Sequence, residues 1–334
     1  MTVQITILGM GQIGTSIGLA LNEHKDLVNR IGNDADPGLA RQAEKLGAID
    51  KVVYNLPSAV RRAELIILDL PVDEVHEVLK VVSQDLKEEA VVIDTSSSKE
   101  KVAQWAAELL PSGRHFVAWT PTINAAYLQE SADGIEAAHA DLFHDSLIFI
   151  TCPGGTDASA IKLATDLTSL VGGKPFYADQ AEVDGLLAAN TVLPQLAAAA
   201  LLDAVMSQPG WSEARKLAGP SFAASTAAVK KLQSSKDPSQ TALANRENVV
   251  RVINNYLTSL MKIRDAVEEN DAETLRKVLV KVIDDREEWL AHRKENDWLN
   301  VDSPQTPLPT AGDVLGRLVW FGRPRSNPPK KRNK

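Results

Sequence analysis

Short apolar runs alternate with amphipathic stretches over the first half of the chain. The run Val3–Leu8 has the length and composition of a strand, and a helical pattern follows it from Ile13 to about Glu23. Strands that alternate with helices indicate βαβ units and a parallel sheet buried on both faces. The pattern therefore predicts an α/β domain with a doubly wound parallel sheet over residues 1–178. Its further predicted strands are Arg30–Asn33, Leu65–Leu70, Ala90–Asp94, Ser146–Thr151 and a short run near Phe176.

The pattern changes after about residue 178. Residues 180–208 are rich in Ala and Leu and almost free of charge, which predicts a buried helix. Between Pro238 and Asn296 apolar residues recur with the helical period in two stretches, with a break at Asn270-Asp271. We therefore expect an all-helical second domain over residues 179–300. Its nearly uncharged helix needs more apolar surface than one small bundle supplies, so we expect a homodimer whose subunits share a core.

Composition limits the class of protein. Of 334 residues, 44% are apolar and 24% are charged, as in a globular protein with sizeable cores. The longest apolar run, Leu196 to Leu202, is far shorter than the roughly 20 residues of a membrane span. The first residues lack the pattern of a secretory signal, and the net charge of −8 argues against a whole-chain nucleic-acid binder. We expect a cytoplasmic protein that acts on a small molecule.

Two smaller features complete this picture. The chain has one cysteine, Cys152, which forms no internal disulfide, and no cluster of residues predicts a metal site. Residues 301–334 hold six prolines and end in a basic cluster. This composition predicts a Pro-rich, disordered basic tail. Nucleic-acid binding by the tail is left open.

A glycine-rich turn directly follows the first predicted strand. Gly9, Gly11 and Gly14 fit the pattern G-x-G-x-x-G at the start of a helix. The first glycine permits the tight turn, the second lets the backbone approach a pyrophosphate, and the third lets helix and strand pack closely. Together with Gln12 and Ile13 at the helix N-terminus, they predict a dinucleotide site in a Rossmann domain. A turn that serves packing alone is the alternative.

The end of the second strand indicates which dinucleotide binds. A carboxylate at Asp34 would hydrogen-bond the ribose hydroxyls and repel a 2′-phosphate, so the sequence favours NAD over NADP. Asp36 could serve instead, or could cap the helix that begins at Pro37. Arg30 and Arg41 are the nearby arginines, and neither is well placed for a 2′-phosphate.

Further segments resemble the prephenate/arogenate dehydrogenase family over about residues 3–296. The sequence ILDLPV at 67–72 is similar to the family's LAVPV, which implies that Leu70 and Pro71 lie over the nicotinamide half of the cofactor. The sequence DTSSSK at 94–99 matches D-x-x-S-x-K, which implies that Ser97 lies at the nicotinamide and the substrate. Other similar segments are Asp133-Gly134 with Leu142-Phe143, Leu193-Pro194 and Gly219–Thr226.

This resemblance implies an architecture and a reaction. The family joins a Rossmann domain to a helical domain that dimerises. Its members oxidise prephenate or arogenate in tyrosine biosynthesis: a hydride leaves the carbon that bears the ring hydroxyl, and loss of carbon dioxide makes the ring aromatic.

The chain departs from the family at its catalytic centre. Thr120 stands where the family's H-P-M/I-A-G motif has a histidine, and Val192 and Gln195 replace two more histidines. Ala227 takes the place of an arginine expected to bind a substrate carboxylate. Threonine takes up no proton near pH 7, and losing a positioned base typically costs about 10²–10⁴-fold in rate. A changed substrate or a lost activity are therefore open alternatives.

The candidate catalytic residues are Ser97, Thr120, Lys99 and Gln195. A lysine desolvated near the nicotinamide can act as acid or base, although a structural role for Lys99 is the more plausible alternative. A polar pocket with little charge is suggested by the side chains of Ser97, Thr120, Asn124, Asn190, Thr191 and Gln195. His115, His139, His144, Glu130 and Asp133 are secondary candidates, for which solvated positions are the alternative.

Two further functions compete with the family's reaction. One is an NADH-dependent reductase of a neutral carbonyl or imine, which the missing histidines and arginine favour. The other is a catalytically silent NAD-binding sensor or scaffold.

Overall fold

A computed structural model describes residues 2–296, so the predicted tail 301–334 lies outside the described residues. The strands are β1 Val3–Leu8, β2 Val28–Asn33, β3 Lys51–Val52, β4 Leu65–Leu68, β5 Val91–Asp94, β6 His115–Pro121, β7 Leu147–Thr151 and β8 Lys174–Tyr177. They form one sheet in the order β3-β2-β1-β4-β5-β6-β7-β8. The predicted doubly wound α/β fold is confirmed.

One strand pair runs against the rest of the sheet. β6 and β7 are antiparallel, with Thr120 opposite Phe149, whereas the other neighbouring strands are parallel. A parallel pair needs a crossover, which is usually a helix. Between β6 and β7 the chain makes only short 3₁₀ turns, at Ala125–Tyr127 and Gly134–Ala137, and returns at once. The fully parallel sheet predicted from sequence is therefore wrong at this pair.

Helices cover both faces of the sheet. Those of the first domain are α1 Gln12–Ala20, α2 Pro37–Leu46, α3 Leu56–Val60, α4 Val72–Val82, α5 Lys99–Leu109 and α6 Ala158–Leu170. On one face, Ile17 of α1 and Leu163 of α6 join a core with residues of β1, β4 and β6. On the other face, Val75 of α4 and Val102 of α5 join a second core. Two buried faces explain why the strands read as continuous apolar runs.

The second domain is helical, as predicted. Its helices are α7 Gln180–Leu187, α8 Leu193–Met206, α9 Trp211–Ala214, α10 Pro220–Thr226, α11 Gln240–Leu243, α12 Arg246–Glu268 and α13 Ala272–Glu295. A π-helical segment, Ala188–Val192, joins α7 to α8. The predicted break before α13 is present, and the Asp271 side chain caps it by accepting the Thr274 amide at 3.0 Å.

The helix predicted to be buried over residues 180–208 is largely uncovered within one chain. In α8 only Gln195 and Ala198 are buried. The prediction of burial is therefore wrong for α8 within the described part of one chain, where α10, α12 and the 3₁₀ segment Ala227–Ser234 pack against it but leave most of its residues half-buried or exposed. By length and composition the stretch Gln180–Met206 could cross a membrane. However, Asp184 within it is buried in a contact with α5, which ties this helix to the sheet domain.

The two domains meet at the start of α5. The Asp184 carboxylate of α7 accepts the backbone amides of Lys99 at 2.6 Å and Glu100 at 3.0 Å. Ser98 donates its hydroxyl to the carbonyl of Ala244 at 3.1 Å, and the Asn245 side chain donates to the Asp184 carbonyl at 2.7 Å. Asp184 of the second domain thus caps α5, which begins two residues after Ser97.

Candidate active site

The glycine-rich turn leaves no room for side chains at its ends. Gly9 has φ +101°, and a Cβ there would lie 2.0 Å from the Asp69 carbonyl oxygen. A Cβ on Gly14 would lie 2.2 Å from the carbonyl oxygen of Gly9. The first amides of α1, including those of Gln12 and Ile13, have no intrahelical acceptor. The turn therefore has the backbone freedom and the donors that a pyrophosphate requires.

The structure separates the two candidate ribose ligands. One oxygen of Asp34 accepts the amide of Met10 at 2.7 Å, so this carboxylate lies against the glycine-rich turn. Asp36 instead accepts the amide of Gly38 at 2.7 Å and caps α2. The guanidinium of Arg30 is buried and bonds Asp50 at 2.6 Å, which keeps it away from a 2′-phosphate. These residues fit a nicotinamide dinucleotide, and the preference for NAD over NADP stays a prediction.

Asp69 is a feature of the turn that the motifs do not single out. Its Oδ2 accepts the amide of Gly14 at 2.7 Å, and its Oδ1 accepts the hydroxyl of Thr95 at 2.8 Å. A Cβ on Gly11 would lie 3.4 Å from the same Oδ2. Burial raises the pKa of the Asp69 carboxyl, with the Thr95 and Gly14 bonds opposing the rise. The signal in the sequence is an acidic residue in ILDLPV at the position where LAVPV has alanine.

The turn after β4 lies beside the glycine-rich turn. A Cβ on Gly9 would lie 3.4 Å from the side chain of Leu70, and Leu70 packs on the core beneath α4 and α5. Pro71 precedes the first residue of α4. The residues assigned by resemblance to the nicotinamide half are thus next to the turn assigned to the phosphates.

Lys99 is fully buried beneath the edge of the sheet. Its Nζ lies 3.3 Å from the backbone oxygen of Asp94 and 3.4 Å from the Asp94 carboxylate. Burial lowers the pKa of this ammonium, and the charge of Asp94 opposes that effect. Of the two roles left open by the sequence, this geometry supports the structural one.

Ser97 follows β5, and Thr120 lies within the neighbouring strand β6, near its carboxyl end. Asp94 and Ala118 are partners in the β5–β6 register, and both strands run toward these residues. Ser97 is half-buried, and its hydroxyl bonds no other residue in the described part of the chain. The Thr120 hydroxyl is buried and has no partner within residues 2–296. A buried, unpaired hydroxyl calls for an explanation, and a bound ligand is one.

The second domain contributes a polar stretch that follows α7, the helix that contacts α5. Gln195 is buried, Thr191 is half-buried, and Asn190 is exposed and donates to the Leu186 carbonyl at 3.1 Å. Thr191 and Asn190 lie in the π-helical segment, a local winding often found at functional sites. Among the described residues, no hydrogen bond joins Gln195 to Ser97 or Thr120, so the structure does not bring these candidates into direct contact.

The loop after β6 is held against the cofactor helix. Gln12 donates its side-chain amide to the Ala137 carbonyl at 3.0 Å, and the His139 amide donates to the Ser16 hydroxyl at 3.0 Å. The His139 ring stacks on Tyr127 at 4.0 Å and bonds Glu130 at 3.0 Å. Glu130 and His139 are therefore engaged with each other.

The remaining secondary candidates also have partners. Asp133, in the loop between β6 and β7, pairs with Lys231 of the second domain. His115 lies near Glu89 at 3.4 Å, at the opposite end of β6 from Thr120. His144 is exposed and lies beside Asp145.

Arg293, which no sequence motif indicates, lies on α13 and contacts the segment that follows β6. Arg293 of α13 donates Nη2 to the carbonyl of Ile123 at 2.5 Å, three residues after Thr120. It is half-buried, and burial lowers the pKa of its guanidinium. Helical periodicity places Arg293 on α13 but gives no indication that α13 returns to the sheet.

Comparisons with known proteins agree with this architecture. The family model "Prephenate dehydrogenase, nucleotide-binding domain" matches residues 17–177, and "Prephenate dehydrogenase, dimerization domain" matches residues 179–281. The chain is 27% identical over 278 residues to prephenate dehydrogenase of Bacillus subtilis, covering 81% of this chain and 72% of the relative. It is also 27% identical over 274 residues to cyclohexadienyl dehydrogenase of Zymomonas mobilis, and this match covers 81% of this chain and 90% of the relative.

A solved structure extends the agreement to three dimensions. Prephenate dehydrogenase of A. aeolicus, in complex with hydroxyphenyl propionate and NAD⁺, is similar with a TM-score of 0.72 and 25% identity. The match covers 86% of this chain and 98% of that one. Sequence models, curated relatives and fold agree over both domains, and the chain therefore belongs to the prephenate dehydrogenase family of nucleotide-binding dehydrogenases.

Proposed function

We propose that this chain is an NAD-dependent dehydrogenase that oxidatively decarboxylates prephenate or arogenate, the reaction of tyrosine biosynthesis. The observation that carries the proposal is the unpaired, buried Thr120 hydroxyl, which lies with Ser97 at the sheet edge. The similar A. aeolicus enzyme binds NAD⁺ and hydroxyphenyl propionate, a compound with the aromatic ring that this reaction would produce.

The glycine-rich turn and Asp34 would hold the cofactor. Gly9, Gly11 and Gly14 keep the turn free of side chains, and the amides of Gln12 and Ile13 would donate to the phosphates. Asp34 would bond the ribose hydroxyls, which favours NAD over NADP. When bound, NAD supplies the hydride acceptor.

Threonine is compatible with the proton balance of this reaction. The carbon that bears the ring hydroxyl loses a hydride, and the bond to the ring carboxylate breaks to release carbon dioxide. The hydroxyl proton that leaves is regained when the ring becomes a phenol, so no proton is lost overall. Thr120 can hold the hydroxyl by a hydrogen bond, and Ser97 can orient it. A residue that stores a proton would speed the step but is not required by its stoichiometry.

Arg293 supplies the positive charge that Ala227 lacks. Its guanidinium lies at Ile123, on the segment that continues from Thr120. Arginine binds carboxylates through paired, charge-assisted hydrogen bonds. We propose that Arg293 contributes to binding a substrate carboxylate at this edge, in the role that the family pattern gives to an arginine at position 227.

The test is an assay of purified protein with NAD and prephenate or arogenate, following reduced cofactor and aromatic product. Ser97→Ala and Thr120→Val should each lower turnover by about tenfold, since one hydrogen bond to the reacting group contributes roughly 1–1.5 kcal/mol. NAD affinity should stay the same. Thr165→Val, on the exposed side of α6, is the matched control. Unchanged turnover in both site variants would remove Ser97 and Thr120 from the mechanism.

A second candidate function is a reductase that transfers hydride from NADH to a neutral carbonyl or imine. Thr120, Gln195 and Ala227, in place of two histidines and an arginine, favour it because they leave a site with little charge. A silent NAD-binding sensor or scaffold is the third. Binding of NAD without turnover of prephenate or arogenate, followed by NADH oxidation with a neutral ketone or imine, would select the reductase.

Assembly and location follow from the same proposal. We propose a homodimer formed through the second domain, because residues 179–281 match a dimerization domain. Substrate and cofactor are small molecules of the cytoplasm, where we expect the protein to act.

A further inference from the structure

The side chain of Asp69 lies against the N-terminus of α1, beside the glycine-rich turn. Its Oδ2 accepts the amide of Gly14, the third residue of α1, at 2.7 Å. The same oxygen lies 3.4 Å from where a Cβ on Gly11 would stand. Gly11 is the glycine whose bare backbone lets a pyrophosphate approach. A carboxylate of the chain itself therefore lies beside the place where the cofactor's phosphates are expected.

Asp69 is held there from both sides. Thr95, just after β5, donates its hydroxyl to Oδ1 at 2.8 Å, so each oxygen of the carboxylate has a donor. Gly11 provides no side-chain cap for α1. The carboxylate thus caps α1, and helix N-termini favour a negative group at this place.

We propose that Asp69 is a built-in competitor for the cofactor's pyrophosphate, so that dinucleotide binding requires its carboxylate to leave Gly14 or to lose its charge. The inference rests on the proposed binding of NAD at this turn. It gives Asp69 a role in setting cofactor affinity, distinct from the role of Asp34 at the ribose.

The surrounding charges shift the competition to higher pH. Asp34 from the end of β2 and Asp94 from the end of β5 both oppose ionisation of Asp69, whereas Lys99 at the start of α5 is the cation that faces it. Burial raises the pKa of the Asp69 carboxyl above its ordinary value. As pH rises through that pKa, the carboxyl becomes charged and repels the pyrophosphate. Cofactor affinity should therefore fall as pH rises, and level off once Asp69 is fully ionised.

The experiment measures binding of NAD⁺ and NADH to the full chain by calorimetry and NADH fluorescence, between about pH 5 and pH 8. The variants are Asp69→Ala, which restores the alanine of LAVPV, and Asp69→Asn, which keeps the shape without the charge. At the upper pH both should bind at least about tenfold more tightly than the natural chain, because a like charge is removed from beside the phosphates. In both variants the affinity for NAD⁺ and NADH should no longer fall as pH rises.

Asp85→Asn is the matched control. Asp85 pairs with the exposed Arg61 at 2.8 Å, away from the turn, so its loss removes one negative charge without touching the site. This variant should keep the affinity and pH profile of the natural chain. Circular dichroism melting of each variant checks that it is folded.

The outcomes separate this inference from the proposed function. If the natural chain binds NAD and Asp69→Asn binds equally or more weakly, Asp69 is only a helix cap and the inference is wrong, while the proposed function stands. If neither the natural chain nor any folded variant binds NAD or NADH, the proposed function itself fails. Tighter binding by both variants with a flat pH profile supports both.

Discussion

The two domains differ in how completely one chain buries their apolar residues. In the first domain, Ile5, Ile66 and Val92 are at most 1% exposed, and the sheet carries a core on each face. In the second domain α13 has no buried residue, and α12 exposes Leu260 and Met261. Contiguous exposed apolar surface marks an interaction site. The first domain is thus complete within one chain, whereas the second leaves apolar helix faces uncovered among the described residues, as expected of the dimerization domain whose model it matches.

Leu260→Glu should have the largest effect. If α12 forms the dimer core, two-fold symmetry places the substitution in the interface twice, and each buried carboxylate costs several kcal/mol. The dimer dissociation constant should rise by roughly 10⁴-fold, about 5–6 kcal/mol. Light scattering coupled to size-exclusion chromatography over a dilution series measures it.

Val81→Glu is the control in the other domain. Val81 of α4 is 50% exposed and Leu260 is 43% exposed, so exposure alone does not distinguish them. The Val81 variant should remain a dimer. A Leu260 variant that stays dimeric at micromolar concentration would show that the interface lies elsewhere and would remove the contrast between the domains.

Lys99→Met should have the next largest effect, confined to the first domain. Lys99 and Asp94 form a fully buried ion pair, and removing one partner leaves an uncompensated charge. The free energy of unfolding should fall by about 3–5 kcal/mol in urea titrations. The double variant Lys99→Met, Asp94→Asn should recover most of that loss. A single variant as stable as the natural chain would contradict the structural role assigned to Lys99.

Asp184→Asn should have the smallest effect, at the joint between the domains. One amide oxygen replaces two carboxylate oxygens that accept the Lys99 and Glu100 amides, which should cost about 1–3 kcal/mol near neutral pH. Burial raises the pKa of Asp184 in the folded chain. Between about pH 4 and that raised value the folded state binds more protons than the unfolded state.

The pH dependence of unfolding then tests this joint further. The contribution of Asp184 to stability is fully present below its unfolded pKa and decreases as pH rises through the folded one. Urea titrations across this window should show a shallower decrease for Asp184→Asn than for the natural chain. If the free energies of unfolding of the two proteins fell in parallel with pH, the contact with α5 would not shift the pKa of the Asp184 carboxyl.

The sequence predicts most of the first domain because its physics is local. The run Val3–Leu8 and the turn at Gly9 need only strand propensity and glycine geometry, and both are where expected. The direction of β7 is harder to predict, because it depends on whether the chain between β6 and β7 forms a crossover helix. The apolar sequences of β6 and β7 carry no information about that connection. The parallel pairing of β5 and β6 places Thr120 near the carboxyl end of β6, next to the strand that Ser97 follows.

Contacts between distant segments are what the sequence leaves open. Asp184 and Lys99 are 85 positions apart, and Arg293 and Ile123 are 170 apart, so no periodic pattern links either pair. Asp69 appears in the sequence as one acidic residue in an apolar segment. Only the fold shows that it faces Gly14. Candidate residues can therefore be found by motif, whereas their partners require the structure.

The π-helical segment Ala188–Val192 has a consequence for chain length. Its wider winding accommodates one more residue than an α-helix would over the same rise. Deleting one residue there would let the segment rewind as α-helix without turning Leu193–Met206, because its five π-helical residues turn the chain about as far as four α-helical ones. The chain can therefore lose one residue at this point and keep the helix beyond it in register. One residue deleted within α8 itself would instead turn everything beyond it by about 100°.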